Sequence, residues 1–157
     1  MKNLVATLAF ALFASAAWAQ DKYVDYYYPA ITSTEVFDRV VRQAPLAGKA
    51  VRVEFVNNLT TAQLRGPKSP GYIMFAKGDD AKHLIIVAQN DDVFKTLYRA
   101  RATMAQLTSN VRSGGFFRQQ ELQLVATFYD LLQLMQFDTL VLTDGENWSH
   151  KVEFKRN

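Results

Sequence analysis

The stretch from Asn90 to Phe137 constrains the fold most, because it is predicted to form two long amphipathic helices. In the first helix, apolar residues recur at steps of three and four and therefore lie on one face, which needs a partner to cover it. These residues are Val93, Leu97, Ala100, Met104, Leu107 and Val111. Asn90 is the predicted N-cap, and Asp91 and Asp92 place negative charge in the first turn, where the helix dipole favours it.

The second helix is predicted over residues 118–136, after a chain reversal at Gly114 and Gly115 that glycine accepts readily. Its apolar residues cover a wide arc and are Leu122, Leu124, Val125, Phe128, Tyr129, Leu131, Leu132 and Met135. A helix with so wide an apolar arc can be covered on two sides. We therefore expect it to be the central helix of the core.

Residues 1–19 resemble a Sec-type signal peptide, because a short basic start precedes an apolar run and small residues occupy the cleavage positions. The apolar run is too short to span a membrane comfortably, and no later segment replaces it. We therefore predict removal of residues 1–19 and a single globular domain over residues 20–157, located in the periplasm or secreted. No integral membrane segment is expected after cleavage.

The composition excludes several classes of site. The chain has no cysteine, so thiol catalysis, thiolate metal sites and c-type haem attachment are excluded. Its 18 basic residues are scattered among 15 acidic ones, and a net charge of +3 in that arrangement does not favour nucleic acid as a partner. The common phosphate-loop, zinc-protease and serine-hydrolase motifs are absent. We predict no cofactor and no metal.

The remaining elements are predicted from periodicity and turn residues. Thr32 and Glu35 fit a capping box, which predicts a short N-terminal helix with Val36, Phe37, Val40, Val41 and Ala44 on its apolar face. Residues 50–56 alternate between apolar and polar, which predicts a strand. Two hairpins are predicted, one from residues 72–77 and 83–89 and one from residues 139–143 and 148–154.

Together these elements predict an α+β fold. The expected arrangement is a largely antiparallel four- to five-stranded sheet, packed on one side by the long helical hairpin and the short N-terminal helix.

Two histidines are the candidates for acid–base catalysis near neutral pH. His150 shares its strand face with Trp148, Val152 and Phe154, which indicates a histidine at the margin of the core. Ser149 points to the opposite face of the same strand, so the two neighbours cannot form a nucleophile and base pair. His83 is expected at an exposed hairpin end.

Four acidic residues are candidate metal ligands, namely Asp79, Asp80, Asp91 and Asp92. Loop and helix-cap roles explain them without a metal, and no calcium-loop pattern is present. The Asp144-Gly145 pair is explained by a turn.

Seven residues are predicted as binding candidates: Tyr26, Tyr27, Tyr28, Arg65, Lys68, Arg99 and Arg101. The tyrosines belong either to an N-terminal segment that packs against the domain or to an exposed binding surface. Arg65 and Lys68 lie in a loop rich in proline and glycine. Arg99 and Arg101, with Lys95 and Arg112, form either an anion site or a solvated helix face.

Six blocks of sequence also carry a family resemblance: YP at 28–29, TSTEVF at 32–37, RGPKSPGY at 65–72, FAKG at 75–78, LYRARA at 97–102 and TFYDLL at 127–132. They resemble a family of small exported proteobacterial proteins of uncharacterised role, some of which carry the label molybdopterin-guanine dinucleotide biosynthesis protein A. This sequence does not support that label, because no glycine-rich nucleotide loop follows a first strand. The resemblance implies no catalytic residues.

Two functional hypotheses follow from the sequence. The first is a noncatalytic exported binding, interaction or accessory domain whose partner is an envelope protein or an exported enzyme. The second is a small hydrolase or transferase with a site assembled from distant residues, for which His83, His150, Asp79 or Asp144 are the candidates.

Overall fold

The computed structural model describes residues 23–39, 48–67, 71–90, 93–113 and 127–155. In chain order these ranges contain β1 (Ser33–Phe37), α1 (Lys49–Leu64), β2 (Tyr72–Lys77), β3 (His83–Ala88), α2 (Leu97–Arg112), α3 (Phe128–Leu134), β4 (Thr139–Thr143) and β5 (Ser149–Phe154). The fold is therefore α+β, as predicted. The proposed signal peptide lies outside the described residues.

The five strands form one mixed sheet in the order β1-β5-β4-β3-β2. The two predicted hairpins are confirmed, because β2 pairs with β3 and β4 pairs with β5 in antiparallel orientation. The expectation of a largely antiparallel sheet is wrong, since β3 pairs with β4 and β1 pairs with β5 in parallel. Parallel neighbours need a long connection, and the segment holding α2 and α3 provides it between β3 and β4.

The main core lies between the sheet and all three described helices. Val56 of α1, Met104 and Leu107 of α2, and Phe128 of α3 are buried in one cluster with alternate residues of the strands. Those strand residues include Leu84, Ile86, Leu140, Leu142, Val152 and Phe154. Because successive strand residues point to opposite faces, the three described helices cover a single face of the sheet.

The N-terminal segment covers part of the opposite face. Tyr28 is 2% exposed and clusters with Ile85 and Val141, the strand residues that point away from the helices. Tyr23, Val24 and Ile31 pack around this second cluster. The packing of an N-terminal arm, one of the two alternatives left open by the sequence, is therefore the one observed at Tyr28.

The predicted helix beginning at Thr32 is wrong, because residues 33–37 form β1. The Thr32 hydroxyl donates to the Ser149 carbonyl at 2.5 Å instead of capping a helix. β1 also alternates between half-buried and exposed residues, which is the period of a strand. The sequence around Thr32 and Glu35 is compatible both with a capping box and with a strand. The pairing of residues 33–37 with β5 stabilises the strand. Residues 40–44 of the predicted helix lie outside the described residues.

The predicted strand over residues 50–56 is also wrong, because α1 runs from Lys49 to Leu64. The buried residues of α1 are Arg52 and Val56, four apart, and the partly buried Phe55 and Leu59 flank them on the same stripe. Val51 and Val53, whose alternation suggested a strand, are the more exposed residues. Differences in strand propensity amount to about 1 kcal/mol, and tertiary packing can override them.

Both α2 and α3 begin at residues other than those predicted. Thr96, not Asn90, is the N-cap of α2, and its hydroxyl accepts the Arg99 N–H. Thr127 has extended backbone angles and forms a capping box with Asp130, so no continuous helix covers residues 118–136. Asp91, Asp92 and the predicted reversal at residues 114–115 lie outside the described residues. Four of the six residues predicted for the inner face, Ala100, Met104, Leu107 and Val111, are buried in α2, while Val93 precedes the helix and Leu97 is partly buried.

One charged side chain is buried inside this framework. Arg52 of α1 donates through Nε and Nη2 to the Asp80 carbonyl at 3.0 and 2.7 Å, and through Nη1 to the Met135 carbonyl at 3.0 Å. Met135 is the C-cap of α3, where the helix dipole favours a cation. Arg52 therefore joins α1, the β2–β3 turn and the end of α3.

Across the described ranges, no helix is long and apolar enough to cross a bilayer.

Candidate functional site

An open groove of about 440 Å³ runs between β1 and the helices α2 and α3. Its lining combines apolar, hydroxyl and charged side chains, namely Glu35, Val36, Phe37, Arg39, Arg101, Met104, Ala105, Thr108, Thr127 and Tyr129. Concave sites of this size that mix apolar surface with a few polar groups are typical ligand sites. We therefore take the groove as the candidate functional site.

The two threonine hydroxyls of the groove are engaged in holding the helices. The Thr108 hydroxyl donates to the Met104 carbonyl at 2.8 Å and accepts the Phe128 N–H at 3.0 Å, which fixes the start of α3 against α2. The Thr127 hydroxyl accepts the Asp130 N–H at 3.2 Å. The wall of the groove formed by α2 and α3 is thus held by specific hydrogen bonds.

Glu35 is the acidic residue of the described groove lining. Its Oε2 is 3.3 Å from Nη2 of Arg101, and its side chain is also hydrogen-bonded to that of Tyr129. Burial raises the pKa of Tyr129, and the negative charge of Glu35 and their hydrogen bond raise it further, while Arg101 acts in the opposite direction. Tyr129 is therefore a neutral phenol at physiological pH, and its hydroxyl donates a hydrogen bond to the Glu35 carboxylate.

A second acid and base pair lies beside Phe37 at the end of β1. Nη1 of Arg39 donates to Oδ2 of Asp130 at 3.1 Å, and the same oxygen accepts the Thr127 N–H at 2.6 Å. The Asp130 side chain is 3% exposed whereas that of Arg39 is 54% exposed. The acidic partner is buried in the helix cap, and the guanidinium remains at the surface of the groove.

His150 lies behind Glu35 in the interior. Its Nδ1 is 2.8 Å from the Ser33 hydroxyl, and its ring stacks on Trp148 with 6.2 Å between the ring centroids. Nε2 is 3.6 Å from Oε1 of Glu35, which is too long for a hydrogen bond, and it has no hydrogen-bond partner among the described residues. His150 is 2% exposed and does not line the groove. The sequence predicts His150 at the margin of the core, and in the structure it is buried.

The edge of the sheet next to the groove is formed by β1. In the described part of the chain, β1 pairs with β5 on one side and with no strand on the other. The Phe37 carbonyl accepts the Lys155 N–H at 3.1 Å across that pair, so the backbone groups of Phe37 and Glu35 point towards β5. The alternate residues Thr34 and Val36 therefore direct their N–H and C=O groups towards the open edge.

Comparisons with known proteins add no assignment to this geometry. No protein-family model, no curated protein and no solved structure matches this chain. The site is therefore interpreted from its own residues.

The structure brings one of the predicted binding residues, Arg101, into the groove. Arg99 is exposed two residues earlier on α2 and does not line it. Arg65 is the exposed C-cap residue of α1, away from the groove lining, and Lys68 lies outside the described residues. Of the three basic candidates in the described residues, Arg101 is therefore the one that lines the groove.

The three predicted tyrosines have different environments on the other face of the sheet. Tyr26 is 79% exposed, Tyr28 is buried, and Tyr27 is partly buried between them. The ammonium group of Lys77 lies 4.4 Å from the centre of the Tyr27 ring, a cation–π contact. Tyr26 packs edge-on against Tyr27 and is the tyrosine of this group that presents most surface to solvent.

The other candidate histidine, His83, contacts a threonine and a tyrosine. Nδ1 of His83 is 2.9 Å from the Thr139 hydroxyl, and its ring lies against Tyr23, so it is half-buried and not exposed as predicted. The Asp80 carboxylate pairs with Lys82 at 3.3 Å. No group of three or more histidine or acidic residues that could hold a metal occurs among the described residues.

Sequence reasoning missed Glu35, Arg39 and Tyr129 as site residues. The capping-box pattern places Glu35 in a helix cap, whereas Ser33, Glu35 and Phe37 alternate in burial with Thr34 and Val36 in the period of a strand. That alternation was the available signal. Nothing in the sequence could have indicated that Arg39 and Tyr129 meet the same groove, because they are joined only by the tertiary fold.

Asp144, the other acidic candidate, has a structural role in the β4–β5 turn. Its Oδ1 accepts the N–H groups of Glu146, Asn147 and Trp148, each at 2.9 Å. Partial burial acts to raise the pKa of Asp144, but these backbone hydrogen bonds outweigh it and the pKa is lowered overall.

We predict that Asp144→Ala lowers the free energy of unfolding by about 1–2 kcal/mol at pH 7, because three backbone donors lose their acceptor. Since the folded-state pKa is depressed, this stabilisation is present above the unfolded pKa of about 4 and is lost as the pH falls through the folded pKa. Urea unfolding at pH 7 and pH 3 measures it. Glu146→Ala, in the same turn, is the control, and equal losses for both variants would refute this role.

Proposed function

We propose that this chain is a noncatalytic binding domain that recognises an extended polypeptide segment in the groove beside β1. The observation that carries the proposal is the opening of the groove beside a strand edge that lacks a partner among the described residues. An extended peptide added to such an edge gains main-chain hydrogen bonds, and alternate side chains enter the adjoining groove.

The lining residues fit this mode of binding. Phe37, Met104 and Ala105 offer apolar contacts, while Val36 is 54% exposed on the edge strand itself. The backbone groups of Thr34 and Val36 supply the donors and acceptors that an added strand needs. A site of this type requires no reacting side chain, so it agrees with a binding role.

The proposal includes export and an exported partner. The pattern of residues 1–19 supports a periplasmic or secreted location, and the partner would then be an envelope protein or an exported enzyme with an accessible extended segment. Nucleic acid is not a proposed partner, because in the described part of the chain the cationic side chains of the groove lining are Arg39 and Arg101, and each is paired with an acid.

A small hydrolase is the second candidate function, because the Ser33 hydroxyl lies 2.8 Å from Nδ1 of His150 and Glu35 faces Nε2 of the same ring. Hydroxyl, imidazole and carboxylate in a row are the groups of a nucleophilic hydrolase. It ranks second because neither Ser33 nor His150 lines the groove, so a bound substrate would meet Glu35 first.

The experiment is selection of nonapeptides from a phage-displayed random library on the immobilised chain, residues 20–157. We expect sequences that bind with micromolar dissociation constants as synthetic peptides. Ala105→Trp, which fills the groove, should weaken them about tenfold or more, whereas Ala102→Trp on the same helix, outside the groove lining, should leave them unchanged.

The outcomes separate the two functions. Equal effects of the two tryptophan variants, or no selected peptide, would overturn the binding proposal. Mass spectrometry of the recovered peptides supplies the other arm: cleaved peptide that disappears in Ser33→Ala would establish the hydrolase instead, and intact peptide supports the binding domain.

A further inference from the structure

The two guanidinium groups of the groove are more exposed than the acids that pair with them. The side chains of Arg101 and Arg39 are 63% and 54% exposed, against 28% for Glu35 and 3% for Asp130. The four charges sum to zero, but the positive ones face the solvent and the negative ones face the protein. A ligand entering the groove therefore meets positive charge first.

Each acid is also stabilised from within the protein. Glu35 receives the Tyr129 hydrogen bond in addition to Arg101, and Asp130 receives the N–H and hydroxyl groups of Thr127. The guanidinium is a planar fork with five N–H donors, and it can bind a second carboxylate while it keeps the first. The arginines can therefore accept carboxylates from a ligand without unpairing Glu35 or Asp130.

The two arginines, Arg101 and Arg39, lie at different positions along β1. Arg101 pairs with Glu35, in the middle of the strand, while Arg39 lies two residues beyond the last residue of the strand, Phe37. A peptide strand added along β1 would pass both guanidinium groups in succession. Only alternate residues of that strand project towards the groove, because side chains of neighbouring strand residues point to opposite faces.

Resting on the proposed function, we infer that the groove selects an acidic strand whose carboxylate side chains occupy alternate positions, Glu-x-Glu or Asp-x-Asp, one carboxylate for Arg101 and one for Arg39. The partner is thus a polypeptide segment with an acid–x–acid pattern in extended conformation. Two adjacent acids would place one carboxylate on the wrong face of the added strand.

The test uses three fluorescein-labelled heptapeptides in fluorescence anisotropy titrations with the chain comprising residues 20–157. They are Thr-Val-Glu-Thr-Glu-Val-Thr, its isomer Thr-Val-Glu-Glu-Thr-Val-Thr with the same composition, and the neutral form with Gln in place of both Glu residues. All three are acetylated and amidated, so a terminal carboxylate cannot substitute for the side chains. We expect the alternating peptide to bind about three- to tenfold more tightly than the other two.

Arginine variants then show which groups read the pattern. Arg101→Ala should remove most of the preference for the alternating peptide, while Arg99→Ala, an exposed arginine of the same helix that does not line the groove, should retain it. Each variant is first compared with the parent chain by thermal unfolding, which should be unchanged because both side chains are exposed.

The failures of the two proposals are distinguishable. Equal affinities for all three peptides, lost in Ala105→Trp, would overturn the acid–x–acid pattern while leaving peptide binding in the groove intact. A preference that survives Arg101→Ala would also overturn the inference. Absence of binding by any of these peptides and by any peptide from the random library would overturn both proposals.

Discussion

Arg52→Ala is expected to reduce the free energy of unfolding by about 2–4 kcal/mol. The guanidinium is 3% exposed and donates three hydrogen bonds to two carbonyl groups, those of Asp80 and Met135. Truncation leaves buried acceptors without donors, each costing roughly 1–3 kcal/mol, and also removes favourable charge at the C-terminus of α3. Chemical denaturation at neutral pH measures the loss.

The matched control for this variant is Arg65→Ala, because Arg65 is an exposed arginine at the C-cap of the same helix. We expect it to change the free energy of unfolding by no more than about 0.5 kcal/mol. If Arg52→Ala is equally mild, then α1 is not joined to the β2–β3 turn and to α3 through Arg52.

Tyr28→Ala is expected to produce the second large effect, a loss of about 2–4 kcal/mol. Tyr28 is buried with Ile85 and Val141, and its carbonyl accepts the Asp25 N–H at 2.8 Å within the arm. Removing the ring opens a cavity on the sheet face away from the helices and weakens the packing of residues 23–31. The free energy of unfolding and hydrogen exchange of the Ile85 amide measure this packing.

Tyr26→Ala separates burial from a general effect of losing a tyrosine, because Tyr26 is 79% exposed two residues earlier. We expect a change within about 0.5 kcal/mol. Similar losses for Tyr26→Ala and Tyr28→Ala would show that the arm is not anchored through Tyr28.

The elements that the sequence predicted correctly are those defined by local patterns. The two hairpins contain apolar runs bounded by glycine and aspartate, and both pair as expected. The apolar face of α2 follows the helical period closely enough for Ala100, Met104, Leu107 and Val111 all to be buried.

The incorrect elements are those where a local pattern fits two structures. Thr32 and Glu35 have the spacing of a capping box but belong to a strand, whereas Thr127 and Asp130 form a true capping box. Only contacts distinguish them: β5 pairs with the first segment, and the Thr108 hydroxyl accepts the Phe128 N–H at the start of α3. Propensity differences of about 1 kcal/mol cannot outweigh such tertiary interactions.

The groove could not be predicted, because it depends on the parallel pairing of β1 with β5. That pairing joins segments at opposite ends of the described chain and brings Ser33 opposite His150. Local sequence contains no information on such long-range parallel pairs. Arg101 was predicted as a binding residue from its charge alone, and the structure adds Glu35, Arg39 and Tyr129 around it.

Strand addition at β1 is the central claim, and amide hydrogen exchange at Thr34 and Val36 tests it most directly. Two-dimensional NMR of the chain with and without a saturating library-selected peptide compares these amides with those of Glu35 and Phe37, which face β5. We predict that exchange at Thr34, Val36 or both slows by about tenfold or more on binding, while Glu35 and Phe37 change little. Peptide binding that leaves both Thr34 and Val36 exchanging at their free rates would contradict strand addition.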